Sequence, residues 1–314
     1  MDASVNVIVL NWNGWSDTLE CLASLEQLNY PHYRVIVVDN DSTDDSVSRI
    51  RERFPMVEVV ETGKNLGFAG GCNAGIERSL GEGVEYVWLL NNDTTVEPGA
   101  LQALVEKARS DSRIGAVGSA IYSAEVPERL EAWGGGRVSF WLGRSMHFVK
   151  PVGDETLQFI TGASLLLPRT VIQDLGLLDD AFFMYWEDAD YCFRLRKAGW
   201  RLAVSGQSKV WHKGSASVGI RSARMDTYFN MSGARFFKRH SPVPLLSIWV
   251  GVLLRIGKRC IDGDWNRALA VLFGATQKRS GTDRGAGITI VRSDRREFSV
   301  SSRVDSGEDS KKVR

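Results

Sequence analysis

The chain has 314 residues, enough for one large domain or for a domain with appendages, with a sizeable buried core. Its composition is that of a globular protein, and the net charge of +1 gives no indication of a nucleic-acid partner. The four cysteines are widely scattered and form no CxxC pair. This spacing argues against a zinc cluster or a disulfide framework, and it favours reduced thiols in the cytosol.

The N-terminus lacks the charged region, apolar region and cleavage site of a signal peptide. The longest apolar stretch, PVPLLSIWVGVLLRIGKRC (242–260), contains Arg255, Lys258 and Arg259 near its end and is too short to span a bilayer comfortably. It is either a core helix or a helix that lies in a membrane interface, with those cations at the lipid headgroups. We therefore expect a cytoplasmic protein, with peripheral contact at the inner face of the cell membrane as an open alternative.

In the first 120 residues, short runs rich in β-branched residues alternate with helical patterns. The runs that predict strands are VNVIVLN (5–11), RVIVVDN (34–40), VEVVE (57–61), YVWLL (86–90) and IGAVGSAI (114–121). Helices are predicted to be capped by Ser16 or Asp17, to span 44–53 and 69–80, and to open near Glu97-Pro98. This alternation predicts an α/β fold, with a mostly parallel Rossmann-like sheet and helices on both faces. Ligands bind such sheets beyond the carboxyl ends of the strands.

The second half of the sequence is less regular. Residues 122–157 predict a loop or hairpin excursion, and the strands that follow are predicted at 159–169 and 201–205. The predicted helices are a short one ending near Leu175, one at 187–200 that Gly199 terminates, and one at 224–240. From about residue 276 the chain is rich in polar residues and poor in large apolar ones, a composition typical of disorder.

The fourth predicted strand runs directly into Asn91-Asn92-Asp93 and two threonines. A carboxylate at this place, among amides and hydroxyls, suits Mg²⁺ or Mn²⁺, which take oxygen ligands and share them with substrate phosphates and water. Taken alone, the triplet is better explained as an Asx turn or as a helix cap before Pro98.

Two other stretches could contact a nucleotide. Asp39 ends a strand and could accept hydrogen bonds from a base or ribose, although the polar run after it also fits helix capping by Thr43 or Asp44. The glycine-rich stretch NLGFAGGCNAG (65–75) offers backbone amides to a phosphate, although it is neither GxGxxG nor a P-loop. Its alternative interpretation is a tight loop before a helix.

The stretch FFMYWEDADYCFRLRKAGW (182–200) places Glu187, Asp188 and Asp190 at a helix N-terminus, where acidic residues are also favoured for capping. Aromatic residues precede the acids, and an apolar wall raises the proton affinity of a carboxylate toward that of a useful base. His212 is one of four histidines; a lone histidine is more often structural, but this one could complete a metal site with Asp93.

Together these stretches resemble an inverting glycosyltransferase of family 2 with the GT-A fold, within the rhamnosyltransferase-like and galactofuranosyltransferase-like branch. The matching pieces are VIVLNWNG, VVDNDSTDDS, NLGFAGGCNAG, LLNNDTTVEPG, FITGASLLLPR and WEDADYCFRLRKAGW…VWH, in the family's order over roughly residues 5–215. There are two departures: Asn91 replaces the first acid of the DXD-like triplet, and Asp41 stands where the family often has glycine.

The resemblance implies a role for each site residue. Asp188 would be the general base, and Asp93 and His212 would hold a divalent cation, Mg²⁺ or Mn²⁺. The residues implied for donor binding are Asn11, Trp12 and Asn13 at the end of the first strand, Asp39 on the pyrimidine, Asn65 and Gly67 in the glycine-rich loop, Asn91 near ribose or phosphate, and Asn92. Trp186 and Glu187 would contact the acceptor.

The resemblance also implies the substrates and the domain organisation. The donor would be a dTDP- or UDP-sugar, with L-rhamnose as the first candidate, and the acceptor a glycan or lipid-linked glycan. Residues 1–220 would form the catalytic domain, with a nucleotide-binding half (1–121) and an acceptor-binding half (122–220). C-terminal helices would occupy 221–275 and a polar tail 276–314, and the oligomeric state stays open.

Two other functions remain possible from the sequence. An inactive nucleotide-sugar-binding module would keep the fold without catalysis. A sugar nucleotidyltransferase would need a basic, glycine-rich triphosphate loop near its N-terminus, and residues 10–16, LNWNGWS, contain no Arg or Lys. The carboxylates at 93 and 188 together with His212 favour the transferase over the inactive module.

Overall fold

The computed structural model describes residues 2–214 and 222–277. The strands are β1 (Val5–Asn11), β2 (Tyr33–Asp39), β3 (Glu58–Glu61), β4 (Tyr86–Asn91), β5 (Thr94–Val96), β6 (Ile114–Ser123), β7 (Leu130–Trp133), β8 (Gly135–Ser139), β9 (Arg144–His147), β10 (Phe159–Ile160), β11 (Ser164–Pro168) and β12 (Arg201–His212). The helices are α1 (Trp15–Leu25), α2 (Ser46–Arg53), α3 (Gly67–Glu82), α4 (Ala100–Arg109), α5 (Arg169–Leu175), α6 (Glu187–Lys197), α7 (Ala223–His240), α8 (Pro244–Ile261) and α9 (Trp265–Thr276).

The main sheet has the strand order β3-β2-β1-β4-β11-β6-β12-β5, and β7 also pairs antiparallel with β6. Strands β3, β2, β1 and β4 are parallel, as expected, and so are β6 and β12. Strand β11 lies antiparallel between β4 and β6. The chain leaves β6 at the carboxyl edge and returns to β11 from that edge, so β11 must run in the opposite direction. The sheet is mostly parallel, as predicted: six strands share one direction, and β5, β7 and β11 run in the other.

Helices cover both faces of this sheet, which explains the continuous apolar runs. Along β1, Ile8 packs in the cluster that contains α3, α5 and α6, whereas Val7 and Val9 pack in the cluster that contains α1, α2 and α4. Strand β4 alternates in the same way, with Trp88 on the second face. Burial of each such side chain stabilises the fold by about 1.5–3 kcal/mol, and the strand ends are thereby held rigidly.

Several predicted helix starts were wrong. Helix α1 begins at Trp15 with Gly14 as its N-cap, so neither Ser16 nor Asp17 caps it. Helix α2 begins at Ser46, and its N-cap residue makes no side-chain bond; Asp44 instead accepts a hydrogen bond from the Ser46 amide in a local turn. Helix α4 begins at Ala100, because Pro98 belongs to the turn before it.

Two predicted strands also differ from the structure. The run at 159–169 breaks into β10 and β11, and residues 161–163 form a loop between them. The short strand predicted at 201–205 continues to His212, with a register shift against β6 between Ser205 and Lys209. Long-range pairing of β12 with β6 and β5 extends it, which local sequence cannot indicate.

The C-terminal part is helical, as predicted. Helix α7 matches the expected 224–240 closely, and the apolar segment 242–260 forms α8, which contacts α7 and α9. Within residues 2–214 and 222–277, no helix combines the length and apolarity that crossing a bilayer requires. Apart from residues 276 and 277, the predicted polar tail lies outside the described residues.

Candidate active site

The ends of β1, β2 and β4 lie side by side at one edge of the sheet. Asn11 pairs with Asp39 of β2, and the neighbouring Leu10 pairs with Asn91 of β4. The polar residues that follow three separate apolar runs are therefore brought together, as the sequence predicted.

Asp39 is 2% exposed, and the chain's own groups already bind most of its carboxylate. Oδ2 accepts hydrogen bonds from Asn11 Nδ2 and from the Ser42 hydroxyl, both at 2.7 Å, and Oδ1 accepts one from the Ser42 amide at 2.9 Å. A carboxylate has about four acceptor positions. One position is therefore left for a ligand, such as the imide of a pyrimidine.

Asn11 was predicted to bind the donor, but it is fully buried and serves Asp39 instead. Its amide nitrogen donates to Asp39, and its oxygen accepts a hydrogen bond from the Thr18 hydroxyl at 2.7 Å. Asn92 is likewise turned toward α1, since its amide nitrogen donates to Thr18 Oγ1 at 3.0 Å. The Asn11 side chain thus supports Asp39, while Asn92 is half-buried and anchored to α1.

The loop after β1 carries Trp12 and Asn13. Asn13 has a φ of +50°, and its side-chain oxygen accepts a hydrogen bond from the Thr43 amide at 2.7 Å, which ties this loop to the start of α2. Asp41, in the place of the family's usual glycine, adopts φ +67°. The turn is thus kept, because aspartate tolerates the left-handed region better than most residues.

A cation near Trp12 escaped the sequence analysis. The guanidinium carbon of Arg224, on α7, lies 5.6 Å from the ring centre of Trp12 and 5.6 Å from that of Tyr228. Arg224 is exposed, and both contacts are within the range of a cation–π interaction. No local pattern links α7 to the loop after β1, so only the tertiary structure could have brought Arg224 to the site.

The glycine-rich loop shapes the start of α3. The Asn65 side-chain oxygen accepts hydrogen bonds from the Gly67 amide at 2.9 Å and from Asn40 Nδ2 at 3.2 Å. Gly67 has a φ of +74° and packs against Phe183 so closely that a Cβ would collide with it. The glycine is required here by Phe183 and by its backbone conformation, and it directs the N-terminus of α3 to the sheet edge.

Asp93 lies in the tight turn between β4 and β5, and β12 brings His212 to it. His212 pairs with Thr94, and its Nε2 lies 3.1 Å from Asp93 Oδ1 and 3.3 Å from the Asn91 side-chain amide. Burial lowers the pKa of His212, but the hydrogen bond and charge of Asp93 outweigh this effect, and the pKa is raised. The sequence prediction that these two residues meet agrees with this geometry.

The donor atoms here fit a divalent cation. Adjacent ligands of an ion with bond lengths of about 2.1 Å lie about 3 Å apart, which is close to the Asp93–His212 separation of 3.1 Å. Rotation of the Asn91 amide would add an oxygen to the set. The part of the chain that the structure describes contains no group of three His, Cys, Asp or Glu suited to a metal. Water and a substrate would therefore supply the remaining ligands, as is usual for Mg²⁺.

Asp188 lies in the first turn of α6, beside the loop that separates β10 from β11. Its Oδ2 accepts a hydrogen bond from the Gly162 amide at 2.9 Å, and its Oδ1 accepts one from the Ala189 amide at 2.6 Å. Burial raises the pKa of Asp188, and these two bonds oppose the increase only partly. In the same loop, the carbonyl oxygen of Ala163 accepts a hydrogen bond from the backbone amide of Asn91 at 3.1 Å. The loop at 161–163 therefore connects Asp188 with the triplet Asn91-Asn92-Asp93.

Trp186 and Glu187, which were predicted to contact the acceptor, are both buried in this structure. The Trp186 ring is 4% exposed and packs against Phe229, Phe236 and Phe237 of α7, with ring centres 4.8–5.5 Å away. Glu187 is 5% exposed, and its Oε2 has no hydrogen-bond partner among the described residues. Burial raises the pKa of Glu187 well above its usual range, which favours the protonated carboxyl. Helix α7 covers the Trp186 ring, which local sequence could not reveal.

His147, at the end of β9, borders the same cleft and was missed by the sequence analysis. Its ring centre lies 5.5 Å from that of Phe159. Desolvation lowers the pKa of His147; the charge of Asp188 opposes this effect, and His212 adds to it. His147 is exposed, and the charges of Asp188 and His212 both act on its pKa. No motif in the sequence pointed to His147, because it lies in the irregular loop or hairpin region at 122–157.

The residues of this sheet edge fall within a known family pattern. Residues 6–176 match Glycosyl transferase family 2. The chain is 30% identical over 230 residues to the N-acetylglucosaminyl-diphospho-decaprenol L-rhamnosyltransferase of Mycobacterium tuberculosis, covering 63% of this chain and 72% of that protein. It is 24% identical over 203 residues to the hexosyltransferase Agl10 of Haloferax volcanii, covering 62% of each chain.

A solved structure shares the fold. The mannosyltransferase PcManGT from Pyrobaculum calidifontis, in complex with GDP-Man and Mn²⁺, superimposes with a TM-score of 0.56 at 17% identity, covering 89% of this chain and 77% of that one. With the family match, this likeness confirms the predicted GT-A fold.

Proposed function

Because the chain belongs to glycosyl transferase family 2, we propose that it is an inverting, metal-dependent enzyme that moves a sugar from a nucleotide diphosphate to a glycan hydroxyl. L-rhamnose is the first candidate sugar, since the relative from Mycobacterium tuberculosis is named as an L-rhamnosyltransferase. The chain is a glycosyltransferase by its family; the donor, the metal and the stereochemistry are the proposal.

One observation carries this proposal: the loop at 161–163 joins the two chemical halves of the site. Within this loop, the backbone amide of Gly162 donates a hydrogen bond to the Asp188 carboxylate, and the carbonyl of Ala163 accepts one from the backbone amide of Asn91. A carboxylate of raised pKa is thereby held beside the turn of Asp93, which with His212 of β12 would hold the metal.

The donor would lie along the ends of β1, β2 and β4. Trp12 offers a ring for stacking on the base, and Asp39 offers its remaining acceptor position to the imide of a uracil or thymine. Arg224 lies over Trp12 and would have to move when a base stacks there, because a base and a guanidinium cannot both occupy one ring face at 5.6 Å. Its cation would then be available to the diphosphate.

Asp93 and His212 would hold the divalent cation, with Asn91 beside them. When bound, such an ion neutralises charge on the leaving diphosphate. The roles of the chain's own residues are orientation and charge placement: β4, β5 and β12 fix the two donor atoms before substrate arrives. Mn²⁺ accompanies the donor in the solved mannosyltransferase complex, which supports metal use in this fold.

Asp188 would act as the general base. Each of its oxygens accepts one backbone hydrogen bond, so each keeps a free acceptor position for the hydroxyl of the acceptor. The proton moves to this carboxylate as the hydroxyl oxygen attacks the anomeric carbon from the side opposite the diphosphate. A single displacement inverts the configuration.

The acceptor is proposed to be a glycan carried on a lipid. The Mycobacterium tuberculosis relative is named for a decaprenol-linked diphospho-sugar. We therefore place the enzyme at the inner face of the cell membrane, with residues 1–220 as the catalytic domain and its nucleotide and acceptor halves dividing near residue 121. The C-terminal helices, within 221–275, would lie next to the bilayer.

The proposal is tested by incubating the full chain with dTDP-, UDP- and GDP-sugars, a lipid-linked N-acetylglucosamine acceptor, and Mg²⁺ or Mn²⁺. We expect transfer from one donor, loss of transfer with EDTA, and a product whose anomeric configuration, read by NMR coupling constants, is inverted. Saturable donor binding without transfer or hydrolysis would favour an inactive module. Formation of a nucleotide sugar from a nucleoside triphosphate and a sugar phosphate would favour a nucleotidyltransferase.

A further inference from the structure

Exposed apolar side chains are concentrated in one part of the molecule. Of the fourteen large apolar side chains that are exposed in the described residues, eleven lie on three elements: the β8–β9 turn, α8 and α9. We call these eleven the apolar platform: Trp141 and Leu142 on the turn, Leu245, Leu246, Trp249, Leu253, Leu254 and Ile261 on α8, and Trp265, Leu269 and Leu272 on α9. Such clustering marks an interaction surface, whereas scattered exposed residues do not.

Helix α8 has apolar residues on the face that a water-exposed helix would keep polar. Leu245, Trp249 and Leu253 recur every four residues and are 69%, 42% and 66% exposed. The buried face of the helix is formed by Ser247, Ile248, Gly251 and Val252. A helix that only packs on the protein core exposes polar residues on its outer face. The outward face of α8 is therefore suited to a second apolar environment.

The β8–β9 turn is fixed against α8. Gly143 has a φ of +55° and packs on the α8 backbone at Ser247 and Gly251, where a side chain would collide. Arg255 of α8 donates hydrogen bonds to the Gly143 carbonyl at 2.9 Å and to Asn230 Oδ1 of α7 at 2.7 Å. Residues far apart in the sequence thus form one rigid support for Trp141, which is 68% exposed.

Cations accompany the platform. Arg137 and Arg144 are exposed and line a groove of about 540 Å³ together with Trp141 and Leu142. In the part of the chain that the structure describes, neither arginine forms an ion pair, and neither does the exposed Lys258 of α8. The sequence that follows α9 adds ten Lys and Arg against six Asp and Glu between residues 278 and 314. Asp262, at the end of α8, is an exposed acid at this edge.

We propose that the apolar platform docks on the surface of an anionic lipid bilayer without crossing it. The leucines would enter the acyl boundary, the three tryptophans would lie at headgroup level, and the unpaired cations would face lipid phosphates. The surface differs from the linear segment 242–260, because the turn and α9 contribute five of the eleven side chains. The proposal is independent of the transfer reaction, since vesicle binding is measured without a donor.

The test is co-sedimentation of the full chain with vesicles of phosphatidylcholine alone or with about one-third phosphatidylglycerol. We compare three paired variants, one on each element: Trp141→Ser with Leu142→Ser, Trp249→Ser with Leu253→Ser, and Trp265→Ser with Leu269→Ser. Each pair should weaken binding to the anionic vesicles at least about tenfold. Met56→Ser is the matched control, because Met56 is 95% exposed but lies in the turn before β3.

Three results would overturn the proposal. The first is equal vesicle binding by the unmodified chain and all variants. The second is a loss of binding in the α8 pair alone, because membrane binding would then depend on the linear segment 242–260 and not on the platform. The third is a dimer in analytical ultracentrifugation that the platform variants abolish, because a second copy would then cover the surface. Removal of residues 278–314 should leave binding to the anionic vesicles detectable; a gain in binding to neutral vesicles would mean that this segment covers the platform.

Discussion

Asp39, which is buried, and Asp188, which is half-buried, are carboxylates at the same edge of the sheet, but their surroundings differ. Asn11 and Ser42 donate three hydrogen bonds to Asp39, two of them from side chains. Asp188 accepts two hydrogen bonds, both from backbone amides, and burial still raises its pKa. Polar side chains hold the Asp39 carboxylate in one orientation, whereas the Asp188 carboxylate keeps a high affinity for a proton.

The difference fits the proposed division of the site into a donor half and an acceptor half. A carboxylate whose charge is well compensated is a stable acceptor for recognising a ligand, whereas one that is desolvated can take a proton during a reaction. Neighbouring groups follow the same division: Thr18 satisfies Asn11 on the donor side, while Glu187 Oε2 on the acceptor side has no partner among the described residues. The changes below test this division, beginning with the largest expected effect.

Asp188→Asn should lower kcat by about 10²–10⁴-fold, because the amide keeps the shape of the carboxylate but cannot take the proton. The KM for the donor should change little, since Asp188 does not belong to the donor half. Steady-state kinetics with the donor found in the panel measure both constants. Full activity in this variant would remove Asp188 from its role as the base.

His212→Ala should raise the metal concentration needed for half-maximal activity about 10–100-fold, by loss of one of two protein donors. Adding Asn91→Asp to this variant should recover part of the affinity, because it supplies a second carboxylate next to Asp93. Activity is titrated against Mn²⁺ in both variants. An unchanged metal requirement in His212→Ala would show that Asp93 holds the ion without the imidazole.

Asn11→Ala should raise the KM for the donor about tenfold while leaving kcat nearly unchanged, because Asp39 loses a hydrogen bond that orients it. Asn6→Ala is the matched control. Asn6 is also buried on β1, but it donates to Glu82 at 2.9 Å, away from the carboxyl end of the strand. Both variants should lower the melting temperature, and an equal rise in KM in both would indicate a general loss of structure.

The smallest change is expected for Glu187→Gln. The raised pKa of Asp188 means that kcat/KM falls as the pH falls through a value above the usual aspartate pKa of about 3.9, since only the ionised form is a base. The pKa of Glu187 is raised well above its usual range, which favours the neutral carboxyl. Because glutamine is also neutral, the pH at which kcat/KM falls on the acid side of the profile (the acid limb) should stay the same. A shift of the limb to lower pH would mean that Glu187 carries charge in the active enzyme.

Glu187→Gln also has a consequence for stability. The folded chain keeps a proton on Glu187 that the unfolded chain releases above about pH 4.3, so wild-type stability falls as the pH rises from there through the folded-state pKa. The glutamine variant cannot release this proton. Its melting temperature relative to wild type should therefore increase with pH over that window in thermal unfolding experiments.

Much of the fold was predictable because its signals are local. Apolar runs with β-branched residues marked β1, β2 and β4, and the polar residues at their ends marked the site edge. The antiparallel direction of β11 was not predictable, because it follows from where the 122–157 excursion leaves and re-enters the sheet. The same is true of the full length of β12, which long-range pairing sets.

The sequence by itself determined which residue types stand at the sheet edge, and the family that they indicate, because motif order and strand ends are written along the chain. Only the tertiary structure decided which of those residues face a ligand. Trp186 and Asp188 are two positions apart, but α7 buries the tryptophan, while the loop at 161–163 holds the aspartate beside Asn91. Burial and partners arise from segments distant in sequence, so adjacency in the chain does not give neighbouring residues the same surroundings.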